Sequence, residues 1–324
     1  QGMINAFRGQ DAITTDGHRL IVSVNVGSTQ ELQPARAAGA RSIGLYRSEF
    51  LFFKQTVLPD EEVQYTAYRD AAAAFSDGFV VVRTLDIGGD KQLPALPAPI
   101  EPNPFLGNRG VRFTLQHRDV FLTQIRAILR AAVDLPIELM FPMVGGVGEL
   151  DAALELVEDA KEQLRVRGQR YNDAVRTGVM IEVPSAIWIA DALARRVSFF
   201  SVGTNDLVQY LLAADRLNDG VESYYRPFDP AVFRALAHLC RTAGEFNRPV
   251  SVCGELGGDP LAIPALAGMG VTGFSMSPSS LADATRVIRK STGTEMKSLA
   301  EEVVRLDSEG DITALLRQHY SAKE

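Results

Sequence analysis

Only two of the 324 residues are cysteine, Cys240 and Cys253, and they share no metal-type spacing. That excludes a disulfide-stapled fold and fits a reducing compartment. No apolar run approaches the roughly 18 to 20 residues of a membrane span, and the opening Gln1-Gly-Met-Ile-Asn5 lacks the charged-then-apolar order of a secretory signal. A cytoplasmic protein without a membrane segment is expected. A basic stripe is missing too: the formal net charge is -7, which argues against nucleic acid as a general partner. Tryptophan occurs once, at Trp188, where helix or core packing is the simplest reading. His18, His117, His238 and His319 sit in no metal or triad spacing, so none is given a catalytic role. Low-complexity tracts and long internal repeats are also missing.

What is present is a rhythm. Short apolar runs predict strands over residues 20–25, 42–46, 79–83, 137–141, 179–182, 199–202, 250–253 and 273–276. Amphipathic or alanine-rich stretches between them predict helices over 30–38, 60–74, 148–166, 187–194, 230–246 and 260–267. Strand and helix alternating about eight times in a chain of this length predict an α/β fold, a (β/α)8 TIM barrel rather than an open doubly wound sheet. One domain over residues 1–324 is expected, with 1–11 and 307–324 peripheral. The interval 88–117, rich in glycine and proline, breaks the rhythm and is too long for a simple connection, which points to a folded, functional loop.

In such a barrel the reacting groups gather where strands end. The residues closing the apolar runs are Arg47, Arg83, Met143, Glu182, Asn205 with Asp206, Cys253 with Glu255, and Ser277, with Arg216 in a following loop. Arginine forks suit phosphate and carboxylate, and two strand-end carboxylates could hold Mg²⁺. Together these predict a small, multiply anionic substrate bridged to a metal. Each residue also has a plainer reading. Arg47 could form a surface ion pair with Glu49, Glu182 and Asp206 could each cap a helix or join a salt bridge, and Cys253 could be a small core residue. Cys240 reads as packing.

Several motifs in order carry a resemblance. Gly44-Leu-Tyr-Arg-Ser-Glu-Phe-Leu-Phe52, Arg83-Thr-Leu-Asp-Ile-Gly-Gly-Asp-Lys91 and Asn103-Pro-Phe-Leu-Gly-Asn-Arg-Gly-Val-Arg112 come first. Gly178-Val-Met-Ile-Glu-Val-Pro184, Phe200-Ser-Val-Gly-Thr-Asn-Asp-Leu207, Val252-Cys-Gly-Glu255 and Phe274-Ser-Met-Ser-Pro278 follow. Over about residues 12–289 the chain resembles the phosphoenolpyruvate (PEP)-binding domain of Enzyme I, the phosphoenolpyruvate-protein phosphotransferases of the bacterial sugar phosphotransferase system.

The resemblance implies Mg²⁺ held by Glu182 and Asp206. It also implies PEP held by Arg47, Arg83, Arg109, Lys91, Asn205, Thr204 and Arg216, with Arg47 and Arg83 assisting the transfer. Cys253 would then protonate enolpyruvate to pyruvate. The family passes the phosphoryl group to a histidine in an N-terminal domain, thence to the phosphocarrier protein HPr, and forms homodimers. No Gly-Gly-x-x-Ser-His segment occurs here, and Gln1-Gly2 ahead of Met3 reads as an expression remnant. An excised domain, unable to complete phosphotransfer alone, is therefore expected. The PEP-binding domain of pyruvate phosphate dikinase or PEP synthase shares the acids and the cysteine, but the 83–91 and 103–112 segments favour Enzyme I. A metal-dependent aldolase or lyase barrel would not need so many arginines. A PEP-sensing regulatory barrel would have no use for the retained Cys253, Glu182 and Asp206.

Overall fold

The structure, a computed structural model, describes residues 6–53, 56–89 and 91–323. The Gln1-Gly2-Met3 start and Asp90 of the 83–91 motif lie outside the described residues. Eight parallel strands follow one another around a closed barrel: β1 Ile21–Val26, β2 Ile43–Arg47, β3 Val80–Arg83, β4 Ile137–Phe141, β5 Thr177–Ile181, β6 Phe199–Val202, β7 Val250–Val252 and β8 Gly273–Met276. This is the expected (β/α)8 barrel. The strands are short and rich in Val, Ile and Phe because both faces of a barrel strand are covered. Accordingly β3, β6 and β8 are buried at every position.

The chain separates into two compact units, Gln1–Val24, Ala35–Ala40 and Ile181–Glu324 in one and Asn25–Pro34 with Arg41–Met180 in the other. In the second unit β3 pairs with β2 and β4, placing Arg47 opposite Arg83 and Arg83 opposite Met140. In the first, β7 pairs with β6 and β8, so Val252 lies opposite both Val202 and Phe274. Helix starts follow local chemistry. Asp60 accepts the Val63 N–H at 2.8 Å and opens the helix Glu61–Ala74, and Asp229 with Pro230 opens Pro230–Glu245.

Three sequence readings shift. The predicted helix 187–194 is two short helices, Pro184–Trp188 and Ala190–Ala194. Trp188 is not packed away: it closes a five-residue helix that buries Ala186 and Ile187, stands 73% exposed, and rests its ring 5.0 Å from that of His238. Among the described residues of 84–110 no helix is longer than the 3-10 turn Pro104–Leu106, but the helix Val111–Gln116 begins inside the interval read as loop. The loop is nonetheless folded, because Leu85, Ile87 and Leu93 bury themselves against Phe52, Phe113 and Val120. Helices Arg118–Ala131, Thr204–Leu212, Leu281–Arg289 and Gly293–Val303 lie outside the predicted set.

Candidate functional site

In the unit that holds β2 to β4, the end of β3 carries a buried ionic cluster. Arg83 is 6% exposed and gives Nη2 to Glu49 Oε1 at 2.5 Å and Nη1 to Asp86 Oδ2 at 3.3 Å. Arg109 grips Asp86 through both Nε and Nη2 at 3.3 Å, with its guanidinium over the Phe105 ring at 5.7 Å. Lys91 Nζ completes the group at 3.4 Å from Glu49 and 3.7 Å from Asp86. Burial by itself would raise the Asp86 carboxyl, but Arg109, Arg83 and Lys91 outweigh it and hold the group well below the usual carboxylate range.

The structure thus brings Arg83, Arg109 and Lys91 together. Glu49 pairs with Arg83 and Lys91, while Arg47 lies over the Phe50 ring at 5.1 Å. Behind β3 a buried polar relay fixes the backbone. Ser48 Oγ donates to Arg83 O at 2.7 Å, Gln124 Nε2 donates to Ser48 Oγ at 2.9 Å, and the Leu85 N–H donates to Gln124 Oε1 at 2.8 Å.

In the other unit the candidate residues sit at the ends of β5, β6 and β7. Glu182 follows the last residue of β5, and Thr204, Asn205 and Asp206 form the first turn of the helix Thr204–Leu212 after β6. The Gly203 N–H donates to Ile181 O at 3.0 Å, tying the two strand ends beside the two acids. Glu182 and Asp206 are 1% and 6% exposed. Arg216 Nη2 approaches Asp206 Oδ1 to 3.7 Å. Thr204 Oγ1 is buried without a hydrogen-bond partner among the described residues.

Cys253 follows β7, 4% exposed, donating both N–H and Sγ–H to Val202 O at 3.0 and 3.4 Å. Gly254 is needed next to it, since a Cβ there would run into Thr204. Asn205 is pinned from two sides: its Oδ1 accepts the Glu255 N–H at 2.9 Å and its carbonyl accepts the Tyr225 hydroxyl at 3.1 Å. Burial, then the nearby Glu255, push the Tyr225 phenol up to about 12, which keeps it a donor. Beside this turn lies a cavity of about 80 Å³ lined by Thr204, Asn205, Tyr225, Glu255 and Asp259 among others.

Among the described residues no cluster of three or more His, Cys, Asp or Glu forms a metal cage. Two buried carboxylates with an orphaned hydroxyl nearby nevertheless fit Mg²⁺, which is usually held by one or two carboxylates together with substrate oxygens. None of the four histidines belongs to either cluster: His18 stands beside Asp16, His117 against Phe113, His238 beside Trp188, and His319 on the last helix. Glu49, Asp86 and Tyr225 were not singled out from sequence. The signal for Asp86 was present, as the first acid of the glycine segment that follows Arg83 at the end of a strand.

A closed parallel barrel with its polar and ionisable groups collected at strand ends is the architecture of a barrel enzyme. The chain belongs to the PEP-utilising enzyme family: residues 3–292 match the model of its PEP-binding domain. It is 40% identical over 316 residues to the phosphoenolpyruvate-protein phosphotransferase of Staphylococcus carnosus (strain TM300), covering 98% of this chain and 55% of that protein. To the protein of the same name from Bacillus subtilis (strain 168) it is 39% identical over 311 residues, 96% of this chain and 55% of the relative. The chain thus spans about half the length of the curated relatives it matches. A citrate lyase structure from Burkholderia xenovorans LB400 shares the fold at 14% identity, with a TM-score of 0.51 over 97% of this chain and 96% of that one. Among the described residues no helix is long and apolar enough to cross a membrane.

Proposed function

We propose that this chain binds PEP with Mg²⁺ and performs the enolpyruvate half of the phosphotransfer carried by its longer relatives. The observation that carries the reading is the first turn of the helix Thr204–Leu212. There a buried carboxylate, an arginine 3.7 Å from it and a buried hydroxyl without a partner share one helix N-terminus. Helix N-termini favour anions through their free N–H groups, and Arg216 adds charge-assisted donors.

Glu182 and Asp206 would hold the metal, which supplies charge neutralisation at the phosphoryl oxygens. Arg47, Arg83, Arg109 and Lys91 offset charge on the phosphoryl group and the carboxylate, with Glu49 and Asp86 fixing the last three of these cations. Thr204 and Asn205 orient phosphoryl oxygens. As the ester P–O bond breaks, the phosphoryl group passes to a histidine nitrogen supplied by the rest of the protein. The electron pair left on the enolate takes the Cys253 Sγ proton at carbon, giving pyruvate and a thiolate that solvent reprotonates. On this reading HPr receives the phosphoryl group next, and the setting is the cytoplasm, with the chain paired as a homodimer.

Calorimetric titration of PEP tests the proposal. The native chain should bind PEP only with Mg²⁺ present, and that binding should vanish in Glu182→Ala. Metal-independent binding of equal strength in both would overturn the assignment of the acids.

A further inference from the structure

We infer that Gln209 is a positioning residue that holds Arg216 in place for the anion; the inference rests on the PEP reading above. Gln209 is 4% exposed, on the same helix as Asp206 and near its other end. The helix stops at Ala213, a non-glycine residue in the left-handed region with φ 51° and ψ 39°. Such a conformation is disfavoured and persists only where surrounding contacts enforce it. Gln209 provides them. Its backbone carbonyl accepts the N–H groups of Ala213 and Ala214, the latter at 3.1 Å, and its side-chain Oε1 accepts the Arg216 N–H at 2.9 Å.

Two oxygens of one residue therefore gather three N–H groups within four residues and fold the chain back along the helix. The result is that Arg216, four residues beyond the helix end, reaches the first turn, with Nη2 3.7 Å from Asp206 Oδ1. The Arg216 N–H can only donate, so it fixes the carboxamide oxygen on that side and leaves Nε2 on the other. Nε2 of Gln209 and Nε of Arg216 are both buried without an acceptor among the described residues. Neither can accept a hydrogen bond, so both suit an acceptor-rich anion and neither suits a cation.

A helix-ending role alone would affect stability without regard to Arg216, which makes the two roles separable. Gln209→Met keeps the volume and removes the acceptor. It should speed hydrogen exchange at the Arg216 amide and weaken Mg²⁺-dependent PEP binding about ten- to a hundred-fold. In an Arg216→Met background the same substitution should change PEP binding by less than about two-fold. Gln209→Glu, which retains an acceptor, should keep the Arg216 amide protected while its charge repels the anion, and it serves if the Met variant fails to fold. Equal losses in both backgrounds, or an Arg216 amide indifferent to Gln209→Met, would overturn the inference. A native chain that binds no PEP would instead sink the functional reading and the ligand assigned here, while the Arg216 amide would still decide whether Gln209 positions the loop.

Discussion

Asp86 shows how much one charge can depend on its neighbours. It is fully buried, and Arg109, Arg83 and Lys91 hold its carboxyl below the ordinary value of 3.8. A carboxyl lowered on folding stabilises the folded state above its unfolded value and loses that contribution as pH falls toward the folded one. Asp86→Asn should therefore lower the melting temperature at neutral pH, and its gap from the native chain should narrow as pH drops below about 4. A gap of constant size from pH 7 to about 3 would show that packing, not charge, is what Asp86 supplies. Cys253 makes a different demand. Cys253→Ala should leave PEP affinity within a few-fold yet slow proton exchange at the pyruvate methyl carbon by about a hundred-fold or more, followed by NMR in heavy water. Unchanged exchange would remove the thiol from the chemistry. Cys253 directly follows a strand, where a sequence can be read for it, while Asp86 lies three residues past the end of β3 and was not singled out. What could not be read is that Glu49, two positions from Arg47, turns to Arg83 and Lys91 instead.

At the scale of elements, the strands were legible because barrel strands are covered on both faces and so appear as short, mostly apolar runs; β4, β6 and β8 have the expected ends. The helix Arg118–Ala131 was not legible, since its arginines interrupt the apolar stripe. Folding turns Arg126 and Arg130 onto Glu61 at 2.7 and 2.8 Å, a partner 65 or more residues away in sequence. The segment 84–110 depends on a small apolar cluster of its own, and Leu93, 1% exposed, is its member nearest to Lys91 in sequence. Leu93→Ala should cost about 2 to 5 kcal/mol, the usual range for emptying such a site, read as a lower melting temperature. It should also weaken PEP binding, because the loop that carries Lys91 and Arg109 loosens. Full affinity in a chain so destabilised would separate the loop from the site. Gly254→Ala forces a Cβ into Thr204 and should impair PEP binding with little loss of strand structure by circular dichroism.

At the largest scale, the chain spans about half the length of the curated relatives it matches, and the proposed reaction needs a histidine acceptor besides the residues of the barrel. The chain alone should release no more than trace pyruvate from PEP, and a phosphorylatable histidine domain added in trans should restore it. Rapid pyruvate release by the chain alone would mean that water or another group takes the phosphoryl moiety. The sequence by itself determined the alternating strands and helices, the barrel they imply, and which acids, arginines and thiol end the strands, because those signals lie within short windows of residues. Tertiary structure alone decided which charges meet. The pairing of Arg83 with Glu49, the three cations around Asp86, the exposure of Trp188 and the hold of Gln209 on Arg216 all depend on side chains crossing between elements or folding back past a helix end, and no local pattern records those distances.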